Sequence, residues 1–409
     1  MSEFPPTQLI GEVISIGDEL TSGQRLDTNS QWLSQQLAKI GISTRYHSTV
    51  ADDVDGMLRV FQNAIARSNI VLVTGGLGPT ADDLTRQVVA QTAGVDLILD
   101  ESMLQRIRDL FESRGRQMPE TNRVQALFPA GSQIIENHMG TAPGVEHHFP
   151  DQNCTLFAFP GVPAELKPMW TDDVRQRIRR RHPNLGLILQ HSIHCFGLAE
   201  SDVETRLPDI IKRGREPTVG ITATKATITL RISASGQNEA ACRRLIEPTA
   251  QLIREELSEF VFGENGQTLQ QVVVQLLKDR QQTLSIVDVG GCGLIADWMQ
   301  QVDPQGDHYL GMLSFAASSA RVGNEDLPKA EYQSLALKAA NFFGSDIVLV
   351  IGPAHQHAED GLKRQFLISR QMELTRTRVN ASSNPSIVVP RSIKQALNFL
   401  RLKLECEPA

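Results

Sequence analysis

Ile70-Val71-Leu72-Val73-Thr74-Gly75-Gly76-Leu77-Gly78-Pro79-Thr80-Ala81-Asp82-Asp83 carries the strongest fold signal in the chain. A β-branched apolar run of strand length meets three glycines. A stretch with helical spacing then runs from Asp83 to Ala93 and stops at Gly94. A continuous apolar run closed by glycine reads as a strand covered on both faces, as in a parallel sheet. The same grammar recurs upstream. Glu12–Ile16 is an apolar run ending at Gly17, and Asn29 to Ile40 places Trp32, Leu33, Leu37 and Ile40 on one helical face before Gly41. Ile42 to Val50 reads as strand, and Asp53 to Arg67 as helix with Leu58, Phe61 and Ile65 inward. Strands alternating with helices of this length make βαβ units and a mostly parallel sheet.

The chain has 409 residues, more than one hydrophobic core of ~250–300 residues usually holds, so two or three domains are expected. A basic run ending in proline, Arg175–Pro183, marks the first boundary. The expected division is 1–174, a three-layer α/β domain; 175–264, a small α+β linker domain; and 265–409, a second α/β domain. Within the linker, Thr227 to Ile232 alternates polar and apolar residues, as a half-exposed antiparallel strand does. In the last segment, helix 267–279, strand 283–288, helix 294–301, helix 329–343, strand Ile347–Ile351, two short strands within 364–379 and helix 391–402 are expected.

The net charge of −7 and an aromatic content of 5% argue against a nucleic-acid partner, which would want a basic face or stacking rings. The run at 175–183 is read as a solvated helix end. Five scattered cysteines, Cys154, Cys195, Cys242, Cys292 and Cys406, form no metal or redox motif and read as buried thiols of a cytoplasmic protein. No signal peptide or membrane-spanning run is apparent.

In parallel sheets, ligands gather at the carboxyl ends of the strands. That rule selects Gly17–Asn29, Thr74–Asp83 and the loop after the apolar run Thr155–Phe159. In the second of these, glycines free backbone N–H groups to meet an anion, and Thr74 and Thr80 add hydroxyls. Asp82 and Asp83 are suited to a divalent cation over the same phosphate, with Asp18 and Glu19 on the neighbouring loop. The bland alternatives are a glycine turn with Asp83 as a helix N-cap, Asn29 as a second N-cap, and solvated turn carboxylates at Asp18 and Glu19.

Gly17–Asn29 (GDELTSGQRLDTN), Thr74–Thr85 (TGGLGPTADDLT), Asn137–Val145 (NHMGTAPGV) and Phe159–Glu165 (FPGVPAE) resemble, in order and spacing, the CinA (competence/damage-inducible) family. The first domain of that family is similar to the MoaB/MogA-like molybdopterin-binding domain. Phe196–Ser201 and Thr227–Ser233 resemble its middle segment. The resemblance implies an ADP-ribose pyrophosphatase that needs a divalent metal ion (Mg, Mn or Co) and forms a homodimer. It implies Asp82 and Asp83 as catalytic residues, and Asp18, Glu19, Asp82 and Asp83 as metal ligands. Asn29, Thr74, Gly75, Gly76, Gly78, Thr80, Thr141, Gly144, Gly161, Pro163 and Glu165 are the expected contacts to a nucleotide-type substrate. A nucleotide- or molybdopterin-binding protein without turnover is the alternative.

By position, the last segment resembles a nicotinamide mononucleotide deamidase, but its chemistry is altered. Val289 stands where the family has a nucleophilic serine, and Val has no hydroxyl to attack a carboxamide. Phe315 and Ala320 replace a tyrosine and a lysine. Cys292 reads as a small residue in a turn, and His355 and His357 as residues of a loop. The expectation is a retained fold without deamidase activity.

Overall fold

The structure, a computed structural model, describes residues 9–212, 214–224, 226–290, 293–315, 328–357, 361–370, 373–380 and 385–406. The chain falls into two compact units. Met1–Leu189 with Ala234–Arg244 forms one, and Gln190–Ser233 with Leu245–Ala409 the other.

The first unit runs β1 (Ile10–Ile16), α1 (Asp18–Thr21), α2 (Thr28–Ala38), β2 (Ser43–Val50), α3 (Val54–Arg67), β3 (Ile70–Thr74) and α4 (Thr85–Ala93). It continues β4 (Leu97–Leu99), α5 (Glu101–Ser113), β5 (Leu127–Pro129), β6 (Gln133–Ile135), β7 (Gly144–Phe149), β8 (Cys154–Phe159), α6 (Pro163–Met169) and α7 (Arg175–Arg181). Six strands form one sheet in the order β2-β1-β3-β8-β7-β6. The first four are parallel; β7 and β6 are antiparallel additions. Successive residues of β3 point to opposite faces. Val71 and Val73 pack with Met57, Phe61 and Val88, while Ile70 and Leu72 pack with Leu33, Leu37 and Trp170. Both faces are therefore covered by helices, giving three layers. Burying each such Val, Leu or Phe side chain contributes roughly 1.5–3 kcal/mol, so only the strand ends remain free for a ligand.

Three local expectations are corrected. Helix α4 begins at Thr85, not Asp83, and Leu84 at its N-cap gives it no side-chain cap. Helix α2 is capped by Asp27, whose carboxylate accepts from the Ser30 amide at 2.9 Å, and not by Asn29. The basic run is not simply a solvated helix end. Arg177 and Arg181 of α7 each reach the buried Glu146 at 3.0 Å, and Arg177 also pairs with Asp173.

The chain continues with β9 (Leu187–Phe196), α8 (Glu200–Arg206), β10 (Thr218–Thr224), β11 (Thr227–Gly236), α9 (Glu239–Glu256) and β12 (Val261–Glu264), most of it in the second unit. The sheet order is β10-β11-β9-β12, with β11 antiparallel to β10 as its alternation predicts. Then follow α10 (Leu269–Asp279), β13 (Leu284–Val289), α11 (Leu294–Val302), β14 (Tyr309–Phe315), α12 (Lys329–Phe343), β15 (Ile347–His357), β16 (Gly361–Arg370), β17 (Glu373–Asn380) and α13 (Pro385–Cys406). Their sheet, β14-β13-β15-β16-β17, is parallel across its first three strands and antiparallel beyond. Phe196 and Phe262 share one core with Leu269, Val273, Leu277 and Leu400.

The segment expected as a loop at Ile351–His357 is strand, paired with β16 through His357↔Gly361 after a register shift. The side chains of His355 and His357 lie outside the described residues, as do Cys292 and Ala320. Cys154, Cys195 and Cys242 are buried, but Cys406 is exposed. Burial pushes the Cys154 and Cys195 thiols up to about 12, so neither is a nucleophile at neutral pH. Among the described residues, no helix is long and apolar enough to cross a membrane.

Candidate functional site

The carboxyl ends of β2, β1, β3 and β8 stand side by side in the sheet. Each releases a loop at the same edge. An open cleft of about 370 Å³ lies there, lined by Glu19, Asp52, the glycine loop with Asp82 and Asp83, Thr141, Gly161 and Glu165. A smaller adjoining hollow is lined by Asn29, Thr74, Leu26 and Val162. Segments far apart in sequence thus meet because parallel strands all point their ends one way.

The glycine loop needs its glycines. Gly75 and Gly76 have φ of 107° and 65°, values that side chains rarely adopt. A Cβ at Gly75 would run into the Ile16 carbonyl, one at Gly76 into the Thr85 hydroxyl, and one at Gly78 into the Asp83 carboxylate. Asp83 closes the turn from inside. Its carboxylate accepts from the Gly78 amide at 2.7 Å, the Thr80 amide at 2.9 Å and the Thr80 hydroxyl at 2.5 Å. Asp83 therefore shapes the loop, and the amides of Gly78 and Thr80 are occupied. Among the described residues, the amides of Gly76 and Leu77 donate to no protein group. Asp82 is exposed, and hydrogen bonds from Thr80 and its own amide hold its carboxyl below the usual range.

Asn29 links three elements. Its side-chain amide donates to the Thr74 hydroxyl at 3.0 Å and to the Gly161 carbonyl at 2.8 Å. The Thr74 hydroxyl in turn donates to the Pro160 carbonyl at 3.3 Å. On the far wall, Asn137 organises the Thr141 loop. Its amide donates to the Ala142 carbonyl at 2.9 Å and to Glu165 at 2.6 Å, and its oxygen accepts from the Met139 and Gly140 amides. Two expected contacts serve the backbone. Gly144 sits within β7, where a Cβ would meet the Ala158 carbonyl and Met169, and Pro163 occupies the first turn of α6.

Sequence reasoning missed Asp52, Asn137 and Arg86. Asp52 and Asp18 exchange hydrogen bonds: the Asp18 amide donates to the Asp52 carboxylate at 3.1 Å, and the Asp52 amide returns one to Asp18 at 3.2 Å. Burial raises the Asp52 carboxyl above its ordinary range, and the charges of Asp18, Asp82 and Glu19 add to the rise. Asp52 follows strand β2, so the carboxyl-end rule marks it. Arg86 lies in the first turn of α4, almost fully buried, on the apolar face it shares with Val89 and Ala90. Burial lowers its guanidinium to about 10, which leaves it charged at neutral pH. Among the described residues, no three His, Cys, Asp or Glu side chains form a ready metal cluster.

Comparison with known proteins places these features. The profile described as "Probable molybdopterin binding domain" matches residues 12–180, and that described as "Damage-inducible protein CinA KH domain" matches 190–263. A putative competence-damage inducible protein of Natranaerobius thermophilus is 34% identical over 306 residues, 74% of each chain. A CinA-like protein of Nostoc sp. is 33% identical over 357 residues, 84% of each chain. This chain belongs to the CinA-like, competence-damage inducible family. Among solved structures, CinA from Thermoplasma acidophilum is 30% identical, covering 41% of this chain and 98% of its own, with a TM-score of 0.38. MoaB from Pyrococcus furiosus is 21% identical, covering 44% and 99%, with a TM-score of 0.29. The cleft of this CinA-like chain lies wholly within the region matched by the molybdopterin-type profile.

Proposed function

We propose that the N-terminal unit hydrolyses ADP-ribose or a related nucleotide diphosphate with the help of a divalent cation such as Mg, Mn or Co. The observation that carries this is the meeting, in one open cleft, of a glycine loop with free amides and a surplus of carboxylates. Asp52 is raised in part by its charged neighbours, and a cation is what would offset that repulsion. Glu19, Asp52 and Asp82 face the cleft and would hold the metal, with Asp18 and the remaining lone pairs of Asp83 behind them. The metal, when bound, neutralises charge on the diphosphate and lowers the pKa of a bound water. The chain's own residues do the rest. Gly76 and Leu77 amides meet phosphate oxygens, Asn29 fixes the relative position of the Thr74 and Gly161 walls, and Glu165 with Thr141 bounds the sugar side. The chain acts as a homodimer.

The C-terminal segment is proposed to lack deamidase activity. Val289, at the position of the family's nucleophile, is fully buried at the end of β13. A second reading follows from the name of the matched profile, molybdopterin binding: a pterin phosphate held without turnover. The test is ADP-ribose turnover with Mg²⁺, Mn²⁺ or Co²⁺ by the wild-type chain and by Asp82→Asn. Metal-dependent release of AMP, lowered at least a hundredfold in the variant, supports the proposal. Absence of turnover with pterin copurifying favours the second reading, and equal turnover by both chains removes Asp82 from the mechanism.

A further inference from the structure

One buried cation stands beneath the glycine loop, and the proposed reaction leaves it without a role. The Arg86 guanidinium donates to the Leu77 carbonyl at 2.8 Å and to the Pro143 carbonyl at 3.4 Å, while its Nε has no hydrogen-bond partner. The first of these contacts grips a particular peptide. The Leu77–Gly78 unit gives its C=O to Arg86 and its N–H to Asp83, at 2.7 Å. Both ends of one peptide plane are thus held by side chains three residues apart, at the entrance to α4. The Gln125 amide also reaches the Leu77 carbonyl, at 3.4 Å. The second contact reaches the opposite wall, because Pro143 follows the Thr141 turn.

A guanidinium is the side chain suited to this task. It is planar, carries five donors and stays charged when buried. Its cost in the interior is desolvation, and hydrogen bonds to two carbonyls offset only part of that. Among the described residues, no carboxylate hydrogen-bonds to it directly; Asp83 opposes it only through space. A charge kept at that cost, directly behind the glycine loop, raises the potential the loop presents to an anion.

We propose that Arg86 is a positioning residue. It fixes the Leu77–Gly78 peptide, thereby aiming the Gly76 and Leu77 amides into the cleft, and it supplies the buried positive charge that makes the loop receptive to a diphosphate. It acts through the loop and touches no substrate. This inference rests on the reading of the cleft as a phosphate site.

The test compares the full-length chain with Arg86→Gln and Arg86→Lys. Amide hydrogen exchange is followed across Gly75–Asp83 in the free protein, inorganic pyrophosphate binding is measured by calorimetry, and kcat and KM are measured for ADP-ribose. Arg86→Gln is expected to speed exchange at Gly78 at least tenfold and to weaken pyrophosphate binding at least tenfold. KM should rise in proportion, with kcat within twofold. Arg86→Lys keeps the charge but is shorter and lacks the rigid planar fork, so binding should weaken two- to fivefold. Wild-type exchange and affinity in Arg86→Gln would overturn the proposal, as would equal damage in the two variants, which marks mere packing. If Arg86→Gln fails to fold, Arg86→Lys decides alone, and unchanged exchange and affinity there are equally fatal. A wild-type chain that binds no pyrophosphate at millimolar concentration also overturns it. Wild-type binding of pyrophosphate without ADP-ribose turnover removes the proposed hydrolysis and leaves the role of Arg86 standing.

Discussion

Two strands of nearly the same sequence end in opposite ways. Ser68-Asn69-Ile70-Val71-Leu72-Val73-Thr74-Gly75 and Ser345-Asp346-Ile347-Val348-Leu349-Val350-Ile351-Gly352 both run buried through the middle of a sheet. Strand β3 stops at Thr74, and Gly75 turns the chain sharply out over the edge. Strand β15 continues through Gly352, with a register shift there, to His357. The neighbours explain the difference. β3 lies between β1 and β8, both parallel to it, so all three chains leave the sheet at the same edge. β15 has the antiparallel β16 on one side, which arrives where β15 leaves and keeps pairing with it. Tyr332 of α12 also packs where a Gly352 side chain would lie. One glycine therefore opens a loop with free amides, and the other admits a tyrosine into the core. Strand sequence alone does not make a site; the direction of the adjoining strands does.

The comparison can be broken most severely at Gly75. Alanine there must adopt a left-handed backbone and meet the Ile16 carbonyl. Gly75→Ala should lose at least about 2 kcal/mol of stability and abolish ADP-ribose turnover, as read by denaturant unfolding and AMP release. A variant of wild-type stability would show that the turn is not what ends β3. Asn29→Ala should come next. It strands the Thr74 hydroxyl and the Gly161 carbonyl, at a cost of about 1–2 kcal/mol, and should raise KM roughly tenfold. An unchanged KM would remove Asn29 from the cleft's geometry.

Asp52 offers a pH test of smaller size. Its carboxyl is raised in the folded chain, so the folded state holds its proton more tightly than the unfolded one. The penalty is absent below the ordinary aspartate range and grows as pH rises through the raised value. Asp52→Asn should thus melt a few degrees above wild type at pH 7, with the difference vanishing in acid. Added Mg²⁺ should stabilise wild type more than the variant. A constant difference at all pH values would mean that the ionised Asp52 carboxylate, penalised by burial and by its charged neighbours, is not the cause. The smallest effect on activity is expected in the second unit. Val289→Ser should release no ammonia from nicotinamide mononucleotide, because the hydroxyl would be buried, and should only destabilise by about 1–3 kcal/mol. Ammonia release would restore that edge as a catalytic one.

Much of the first unit was legible in its sequence. β3 and β8 are nearly continuous apolar runs closed by Gly or Pro-Gly, β1 carries only Glu12 and Ser15 among its apolar residues before Gly17, and such runs admit few alternatives. The glycine loop and Asp82/Asp83 followed from the carboxyl-end rule. Asp52 was hidden because β2 is largely polar and exposed, and because Asp53 beside it supplies the helix cap that Ala-Asp-Asp suggests. Arg86 was hidden because a lone arginine in a helix ordinarily faces water. Its signal was faint: the spacing to Val89 and Ala90 placed it on the inward face. Asp83 was seen, but its first task is local, since hydrogen bonds within the loop are set by turn geometry that residue type does not specify. In the second unit, the extension of β15 depended on β16, a partner that local pattern cannot supply.

The position of β8 has a consequence for how the protein is made. This strand is translated after β1, β2, β3, β6 and β7, yet it sits between β3 and β7. Until it is inserted, β3 is paired on one side only, the Asn29 amide has no Gly161 carbonyl to hold, and the far wall carrying Glu165 does not exist. A nascent chain therefore emerges with its glycine loop complete in sequence and idle in shape. The cleft needs β8 in the middle of the sheet, and long-range closure of that kind slows folding.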